Sequence, residues 1–509
     1  MTERPANRNR TIVLHPFSFG LFPLFSLLSA NMVWAGFSEV LLPAAVVVAA
    51  TALLWFALWP LLPQPQKRGL VLSLFWLPFY GYSLVVDTLR HLFSFRELLG
   101  PGTVAAIAVI AALIATGAIW GLRRSPWSFQ GVTTALNRIS ALILMVALAS
   151  CAVALVRQAQ ARPSVTMPIP ADKALDPAAL PNIYFIVTDS YPRSDYLKSW
   201  FDIDNTPFLA QLRERGFYIA ERSRSNYPNT LPSLASTLNM DYLDNAIATE
   251  GWEDARYPSL LSQIRGNTVV PMLRSIGYEF VAIASGVFPT ELGEADRFIH
   301  PGGWRPTEYH QQLIDATPIR SILNRMKKRR FHHRVPFVFD ALQSVRREER
   351  PIFVFAHLMA PHLPHAYDVE GNVLQEFPPY KPGWAQMTEF VNRRLISVVD
   401  AIQNHEPNSV IIIEGDHGPR TSWQSTFSNE LLPWEGPWEE YVRDRCANLS
   451  TFYFPDRQYD GLLYPEITPV NTFRVIFNKY FGTKFDLLED VSYLSPQHST
   501  EIVRVEEVY

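Results

Sequence analysis

Two hydrophobic rhythms divide this chain. Before residue 160 the apolar residues come in long, nearly unbroken stretches, at 17–34, 40–62, 70–86, 104–122 and 139–156. Each approaches the roughly 20 residues a helix needs to cross a bilayer core. After residue 180 the runs are short and β-branched, at 183–188, 279–284, 352–356 and 410–413, with helical stretches such as 388–403 between them. Short buried strands alternating with helices predict an α/β domain with a mostly parallel central sheet flanked by helices. Its first helix is expected to start at Thr206-Pro207, with Thr206 as N-cap, and to end at Gly216, a residue suited to the left-handed conformation after a last turn. The fold class expected is therefore an N-terminal polytopic helical membrane domain (1–157), a linker rich in Pro and Ala (158–180), and an α/β domain (181–509).

Charge orients the first part. Arg4, Arg8 and Arg10 precede the first stretch, Lys67 and Arg68 follow the second, and Arg123, Arg124 and Arg138 lie between the fourth and fifth. The alternate loops hold no Lys or Arg at 36–39 and only Arg90 and Arg96 in the other. By the positive-inside rule, five spans put everything after residue 156 outside the cytoplasm. The expected location is thus a bacterial cytoplasmic (inner) membrane, multi-pass, with the α/β domain external. A cleaved signal peptide does not account for five successive stretches. Their interiors carry almost no ionisable residues, which disfavours a proton or ion pathway.

Composition agrees: 48% hydrophobic and only 18% charged residues are too apolar for one ordinary soluble domain of 509 residues. A net charge of −3 argues against nucleic acid as a partner. Cys151 and Cys446 fall in different parts and imply no disulfide, and a second domain of this size has core enough without one. The basic stretch 320–350, with Lys327, Lys328, Arg329, Arg330 and Arg334, reads either as a solvated helix face or as a contact for anionic headgroups.

Candidate chemistry lies where apolar runs stop. IYFIVTDS ends on Asp189 and VIIIEGDHG on Asp416 and His417, the way buried strands deliver carboxylates to the carboxyl edge of a sheet. Either aspartate alone reads equally as a turn or cap residue. In NYPNTLPSLASTL, Thr230 precedes Leu231, Leu234 and Leu238 at helical spacing, so its hydroxyl sits at a helix N-terminus, where the dipole favours an anion. Alone it would be an N-cap threonine. Two carboxylates, an imidazole and a threonine oxygen form a four-ligand set suited to one divalent metal ion, Zn or Mn, which would activate the hydroxyl as a nucleophile. AHLMAPHLPHAYD holds His357, His362 and His365 just past a strand. One such histidine is usually a surface residue; three between fixed prolines point to a site, with His362 the first choice for proton transfer and His357 and His365 the second.

The order strand-Asp, Asn-Thr-x-x-Ser, Pro-His-x-Pro, Gly-Asp-His-Gly resembles the alkaline phosphatase superfamily, in its membrane-anchored sulfatase-like branch of phosphoethanolamine transferases and lipoteichoic acid synthases. The resemblance runs from about residue 181 through the Gly-Asp-His-Gly motif and beyond. It implies an alkaline phosphatase-like fold, one metal held by Asp189, Thr230, Asp416 and His417, a nucleophilic Thr230, and a substrate contact from His362. The activity implied is transfer of a phosphoethanolamine or phosphoglycerol headgroup from a membrane lipid donor to an envelope glycan or lipid acceptor. A sulfatase-like hydrolase or phosphodiesterase, and an inactive envelope binding or assembly protein, are the alternatives. Two departures stand out. The Cys/Ser-x-Pro-x-Arg signature of formylglycine sulfatases is missing around Thr230, and no histidine follows the Asp-His pair until His498, so Arg420 is the candidate for that positive contact.

Overall fold

The computed structural model describes residues 11–32, 36–93, 101–160, 166–170, 175–243, 257–287, 290–302, 307–320, 334–374, 376, 378–419, 443, 445–494 and 503–505. The chain divides into two compact units, Met1–Arg162 with Trp304–Arg329, and Pro163–Gly303 with Arg330–Tyr509.

In the first unit the described parts of the long apolar stretches are mostly helical. The helices are α1 (His15–Asn31), α2 (Leu41–Ala57), α3 (Pro65–Tyr80), α4 (Tyr82–Phe93), α5 (Pro101–Arg124) and α6 (Gln130–Gln160). The third stretch is split at Gly81, one turn after Pro78, which cannot donate to the helical ladder. Among the described residues, two helices, Phe37–Ala57 and Gln130–Val156, are long and apolar enough to cross a membrane. Large apolar side chains on both stand exposed, including Leu53 and Phe56 on α2 and Leu142, Met145 and Val146 on α6. α1 packs against α6, and Asn137 of α6 caps it by accepting from the amides of Leu14 and His15, both at 2.9 Å. Such a cap contributes about 1 kcal/mol.

The second unit is built on a seven-stranded sheet. Its strands are β1 (Asn182–Thr188), β2 (Tyr218–Ile219), β3 (Glu279–Ile283), β4 (Arg297–Ile299), β5 (Ile352–Leu358), β6 (Ser409–Gly415) and β7 (Ser450–Tyr453), in the order β2-β7-β6-β1-β5-β3-β4. Strands β6, β1, β5, β3 and β4 are parallel, while β7 runs antiparallel to β6 and to β2. All seven residues of β1, β5 and β6 are buried, which explains why these strands read as continuous apolar runs rather than alternating ones. Tyr184, Ile186, Val354 and Ile411 face one core, and Ile183, Phe185, Phe355 and Ile412 the other. Helices α7 (Ser194–Phe201), α8 (Thr206–Glu214), α13 (Arg334–Ser344) and α14 (Tyr380–His405) cover the first face, and α9 (Thr230–Asn239), α10 (Tyr257–Arg265), α11 (Val269–Ser275) and α15 (Pro469–Phe481) the second. A short antiparallel pair, β8 (Ser492–Leu494) and β9 (Val503–Val505), lies outside the sheet.

The structure adjusts several expectations. The range 181–509 does not fold as one block, because α12 (Glu308–Ala316) belongs with the first unit. Its Tyr309 hydroxyl donates to Leu24 O at 3.0 Å, and Asn31 donates to Gln312 Oε1 at 3.2 Å. The linker is also not free along its whole length: Met167 and Leu180 are buried in the second unit's core. Asn205, not Thr206, is the N-cap of α8, and its side chain makes no cap bond because it is bound instead to the buried Tyr191 and Asn392. Gly216 does adopt a left-handed φ of 87°. Lys327, Lys328, Arg329 and Arg330 lie outside the described residues.

One glycine fixes how closely the sheet edge can close. Gly415 ends β6 with the Tyr191 carbonyl oxygen resting where a Cβ would stand. Gly415→Ala is therefore expected to push β6 off the loop after β1 and cost about 1–3 kcal/mol. A melting temperature of the detergent-solubilised protein equal to that of the wild type would contradict this packing constraint.

Candidate active site

The parallel register brings two chain segments together that are far apart in sequence. Thr188 of β1 pairs with Gly415 of β6 and with Leu358 of β5, so the next residues, Asp189 and Asp416, emerge side by side at the carboxyl edge. Neighbouring strands lie about 4.8 Å apart, which sets the spacing of the two carboxylates. Ligand atoms of Asp189, Asp416 and His417 all fall within 4.8 Å of one another, and all three residues are buried. The Thr230 hydroxyl, on the first residue of α9, lies 3.3 Å from His417 Nε2. The four side chains expected to share a metal are thus gathered at one place.

Hydrogen bonds fix the state of each group. His417 Nδ1 faces the Gly418 carbonyl oxygen at 2.7 Å; a carbonyl can only accept, so Nδ1 carries the proton and Nε2 is a bare lone pair. That lone pair points toward Thr230 Oγ1, with Asp416 Oδ2 at 3.6 Å and Asp189 Oδ1 at 3.9 Å. Asp416 Oδ1 accepts from the amides of Ser190 (2.8 Å) and His417 (2.9 Å), while its Oδ2 is buried with no hydrogen-bond partner among the described residues. The Ser190 hydroxyl donates to Asp189 Oδ1 at 2.9 Å. Ser190 reaches both aspartates by adopting a left-handed φ of 61°, a strain of about 1 kcal/mol or more for a non-glycine residue. Ser233, on the first turn of α9, donates to Asp416 O at 2.6 Å and pins the helix to the β6 edge.

The electrostatics are unbalanced without a cation. Burial, reinforced by the Asp189 charge, pushes Asp416 up to about 7, and the Ser190 amide and Thr230 hydroxyl relieve this only in part. Burial would also raise Asp189, but the His362, His357 and His417 rings and the Ser190 hydroxyl outweigh it and hold that carboxyl below its ordinary value. His417 is driven down to about 3 by burial and then by Arg445, so its ring is neutral at pH 7. A neutral imidazole nitrogen and two buried carboxyl groups facing one another are a metal-binding donor set: without a cation their repulsion is relieved by holding a proton on Asp416, which a bound cation would replace. The residues fit one divalent ion.

The three histidines after β5 separate. His357, on β5 opposite Val187, stands behind Asp189: Nδ1 is 2.8 Å from Thr290 Oγ1, and the buried Nε2 is 3.6 Å from Asp189 Oδ2 with no hydrogen-bond partner. His362 is half-buried, hydrogen-bonds Leu363 O through Nδ1 at 2.6 Å, and is close enough for Asp189 to feel its charge. His365 is placed elsewhere. Its ring packs against Trp384 (5.4 Å) and Tyr380 (5.9 Å) beside Gly383, and burial lowers it to about 3, so it is a neutral core residue rather than a substrate contact. Arg420 lies outside the described residues. No role was assigned from the sequence to Ser190, Ser233 or Arg445; Ser190, adjacent to a strand-end aspartate, and Ser233, the serine of Asn-Thr-x-x-Ser, carried a local signal, and Arg445 carried none.

A family model described as Sulfatase matches residues 181–443, more than half of the chain. The chain belongs to the sulfatase family, and it is an enzyme of the sulfatase-like hydrolases and transferases of the alkaline phosphatase superfamily. Solved structures with a similar course of the chain include the C-terminal periplasmic domain of EcEptC from Escherichia coli, with 11% identity, TM-score 0.44, and coverage of 67% of this chain and 96% of that one. The integral membrane lipooligosaccharide phosphoethanolamine transferase A (EptA) from Neisseria meningitidis matches over 92% of this chain and 95% of its own, at 11% identity and TM-score 0.34. BT1596, a 2-O GAG sulfatase, matches over 60% and 72% at 12% identity and TM-score 0.37. No curated protein matches the chain in sequence.

Because Asp416 must lose its proton to bind a cation, metal affinity should follow its titration. Affinity is expected to fall as pH drops through about 7, by about tenfold per pH unit for one competing proton. Calorimetric titration of Zn²⁺ or Mn²⁺ into the metal-stripped protein at pH 6 and pH 8 measures this, and equal affinities would contradict the assignment.

Proposed function

We propose that this chain is a membrane-bound, metal-dependent transferase that moves a phosphorus-containing headgroup, of the phosphoethanolamine or phosphoglycerol type, from a lipid to an envelope glycan or lipid through a covalent threonine intermediate. The observation that carries the reading is the bare Nε2 of His417 and the two buried carboxylates converging beside the Thr230 hydroxyl at the start of α9. Asp189, Thr230, Asp416 and His417 would hold one divalent ion, Zn or Mn. Such an ion supplies positive charge that lowers the hydroxyl pKa of Thr230 and offsets the charge of the phosphoryl oxygens.

The chain's own residues do the rest. Thr230 Oγ, having lost its proton, displaces the lipid alcohol at phosphorus, and His362 gives the departing oxygen a proton. The resulting phosphothreonine is attacked by an acceptor hydroxyl, whose proton returns to His362, and Thr230 leaves. His362 suits this exchange because its Nδ1 is engaged with Leu363 O, which orients the ring and leaves Nε2 for proton transfer. The N-terminus of α9 faces the same oxygens with its partial positive charge. The five apolar helical stretches of the first unit would anchor the enzyme in the cytoplasmic membrane with the second unit outside, confining it to the surface that holds a lipid donor.

A phosphodiesterase, with water as the second acceptor, uses the same residues, and membership of the sulfatase family keeps that reading in play. Sulfate ester hydrolysis by formylglycine is disfavoured by Asn229-Thr230-Leu231-Pro232-Ser233, which lacks the Cys or Ser and the arginine of that signature. The idea of a non-catalytic envelope assembly protein is set aside by the family membership.

Thr230→Ala should abolish the covalent intermediate seen by intact-mass spectrometry and lower turnover by about 10³-fold or more, whereas Thr230→Ser should keep part of both. Continued turnover by the alanine variant would refute the nucleophile. Headgroup-labelled phosphatidylethanolamine and phosphatidylglycerol, offered with and without a glycan acceptor, distinguish the reactions. Label transferred to the acceptor is the expected result; label released as free headgroup whatever the acceptor would establish the hydrolase instead.

A further inference from the structure

The three loops that carry the site are joined by one short segment, 445–449, just before β7. Toward the loop after Asp189, Leu449 N donates to Tyr191 O at 3.0 Å and Arg193 N to Ala447 O at 3.3 Å. Toward the loop before Thr230, Ser225 N donates to Cys446 O at 2.7 Å, and Ser223 Oγ to Asn448 Oδ1 at 3.0 Å. Toward the Asp416–His417 turn, Gly415 N donates to Leu449 O at 2.7 Å, Gly418 N to Arg445 O at 2.8 Å, and Asn448 Nδ2 to Gly415 O at 2.7 Å.

Within this segment the Arg445 side chain is the unusual part. It is 3% exposed, and among the described residues it forms no ion pair with a carboxylate. Its guanidinium spends its donors on two turns: one nitrogen donates to Gly418 O at 3.0 Å, and the other to Asn229 Oδ1 at 3.1 Å and to Pro228 O. Burying a cation against carbonyl oxygens is costly, so its placement calls for a reason beyond filling space. Asn229 is the N-cap of α9 and of a type that normally caps with its own side chain, yet it makes no such cap. Its oxygen is turned to Arg445 instead.

We propose that Arg445 is a positioning residue for the reaction: its planar fork ties the Pro228-Asn229 turn to the Gly418 turn and so holds the Thr230 hydroxyl in line with the Asp416–His417 pair. The inference rests on the reading of Thr230 as nucleophile. Arg445 makes no hydrogen bond to Thr230 or to the metal-binding atoms, and its positioning effect passes through Asn229 and Gly418. A lysine cannot replace it, because a single ammonium lacks the fork that reaches both turns at once.

The test uses the full-length protein in detergent, bis(p-nitrophenyl) phosphate as probe substrate, and the variants R445A and R445K. For R445A, kcat is expected to fall by about 100-fold with KM little changed, the cost of a small misplacement of a reacting group. Metal content per chain should stay at the wild-type level. Added guanidinium should restore kcat of R445A by about tenfold or more, and R445K should remain impaired. Hydrogen–deuterium exchange should accelerate in 226–231 and 416–419 and nowhere else. Unchanged kcat in R445A, or activity lost in step with metal and with faster exchange throughout the second unit, would overturn the proposal in favour of no role or a merely structural one. A wild-type protein that holds its metal yet does not turn over the probe would count against the nucleophile reading. The exchange pattern would then still decide whether Arg445 fixes the two turns.

Discussion

Two buried carboxyl groups and a neutral imidazole nitrogen facing one another at close range are the constraint around which the second unit's site is organised. Asp189, Asp416 and His417 cannot be relieved by solvent, because all three are buried, and hydrogen bonding relieves them only in part, because Asp416 Oδ2 has no partner among the described residues. Below about pH 7 a proton on Asp416 relieves them; above it a cation does. The strained Ser190, the glycine at 415 and the serine at 233 each bring one loop close enough for that confrontation to occur. Ser190 accepts backbone strain to do so, Gly415 lets two backbones meet where a side chain would not fit, and Ser233 ties a helix to the sheet edge.

The sheet supplies the precision. β1, β5 and β6 are adjacent, parallel and buried on both faces, so the residues just past their carboxyl ends, Asp189 and Asp416, are fixed by a ladder of hydrogen bonds rather than by loop conformation. His357, still on β5, extends the same layer behind Asp189. α9 then approaches from the second face and is held by the Ser233 hydrogen bond, which sets Thr230 at the edge of the group. A nucleophile on a helix N-terminus and ligands on strand ends are two rigid pieces, and the hydrogen bonds of segment 445–449 join the loops between them.

Much of this was legible in the chain. β1, β3, β5 and β6 were readable because each is an apolar run ending at a turn, and strands buried on both faces need no alternation to be recognised. Asp189, Asp416, His417 and Thr230 could be named because each closes or opens such an element. The short strands β2, β4, β8 and β9 were not readable, since two or three residues carry no period. Helix α12 was hidden for another reason: nothing local in residues 308–316 says that they pack with the first unit rather than with the domain that surrounds them in sequence.

The histidines show where the boundary lies. His357, His362 and His365 sit within nine positions, the first on β5 and the others in the loop after it, and sequence alone ranked them without separating them. Packing separates them: Trp384 and Tyr380 claim His365, Asp189 claims His357, and His362 is left half-buried with its Nδ1 on Leu363 O. By itself the sequence determined the elements and the kinds of donor they carry, because strand and helix periodicity and motif chemistry act over a few neighbouring residues. Which donors meet, which are spent on the core, and that Arg445 lies between two distant turns were decided only by the tertiary structure, because those distances depend on sheet register and loop closure across hundreds of residues.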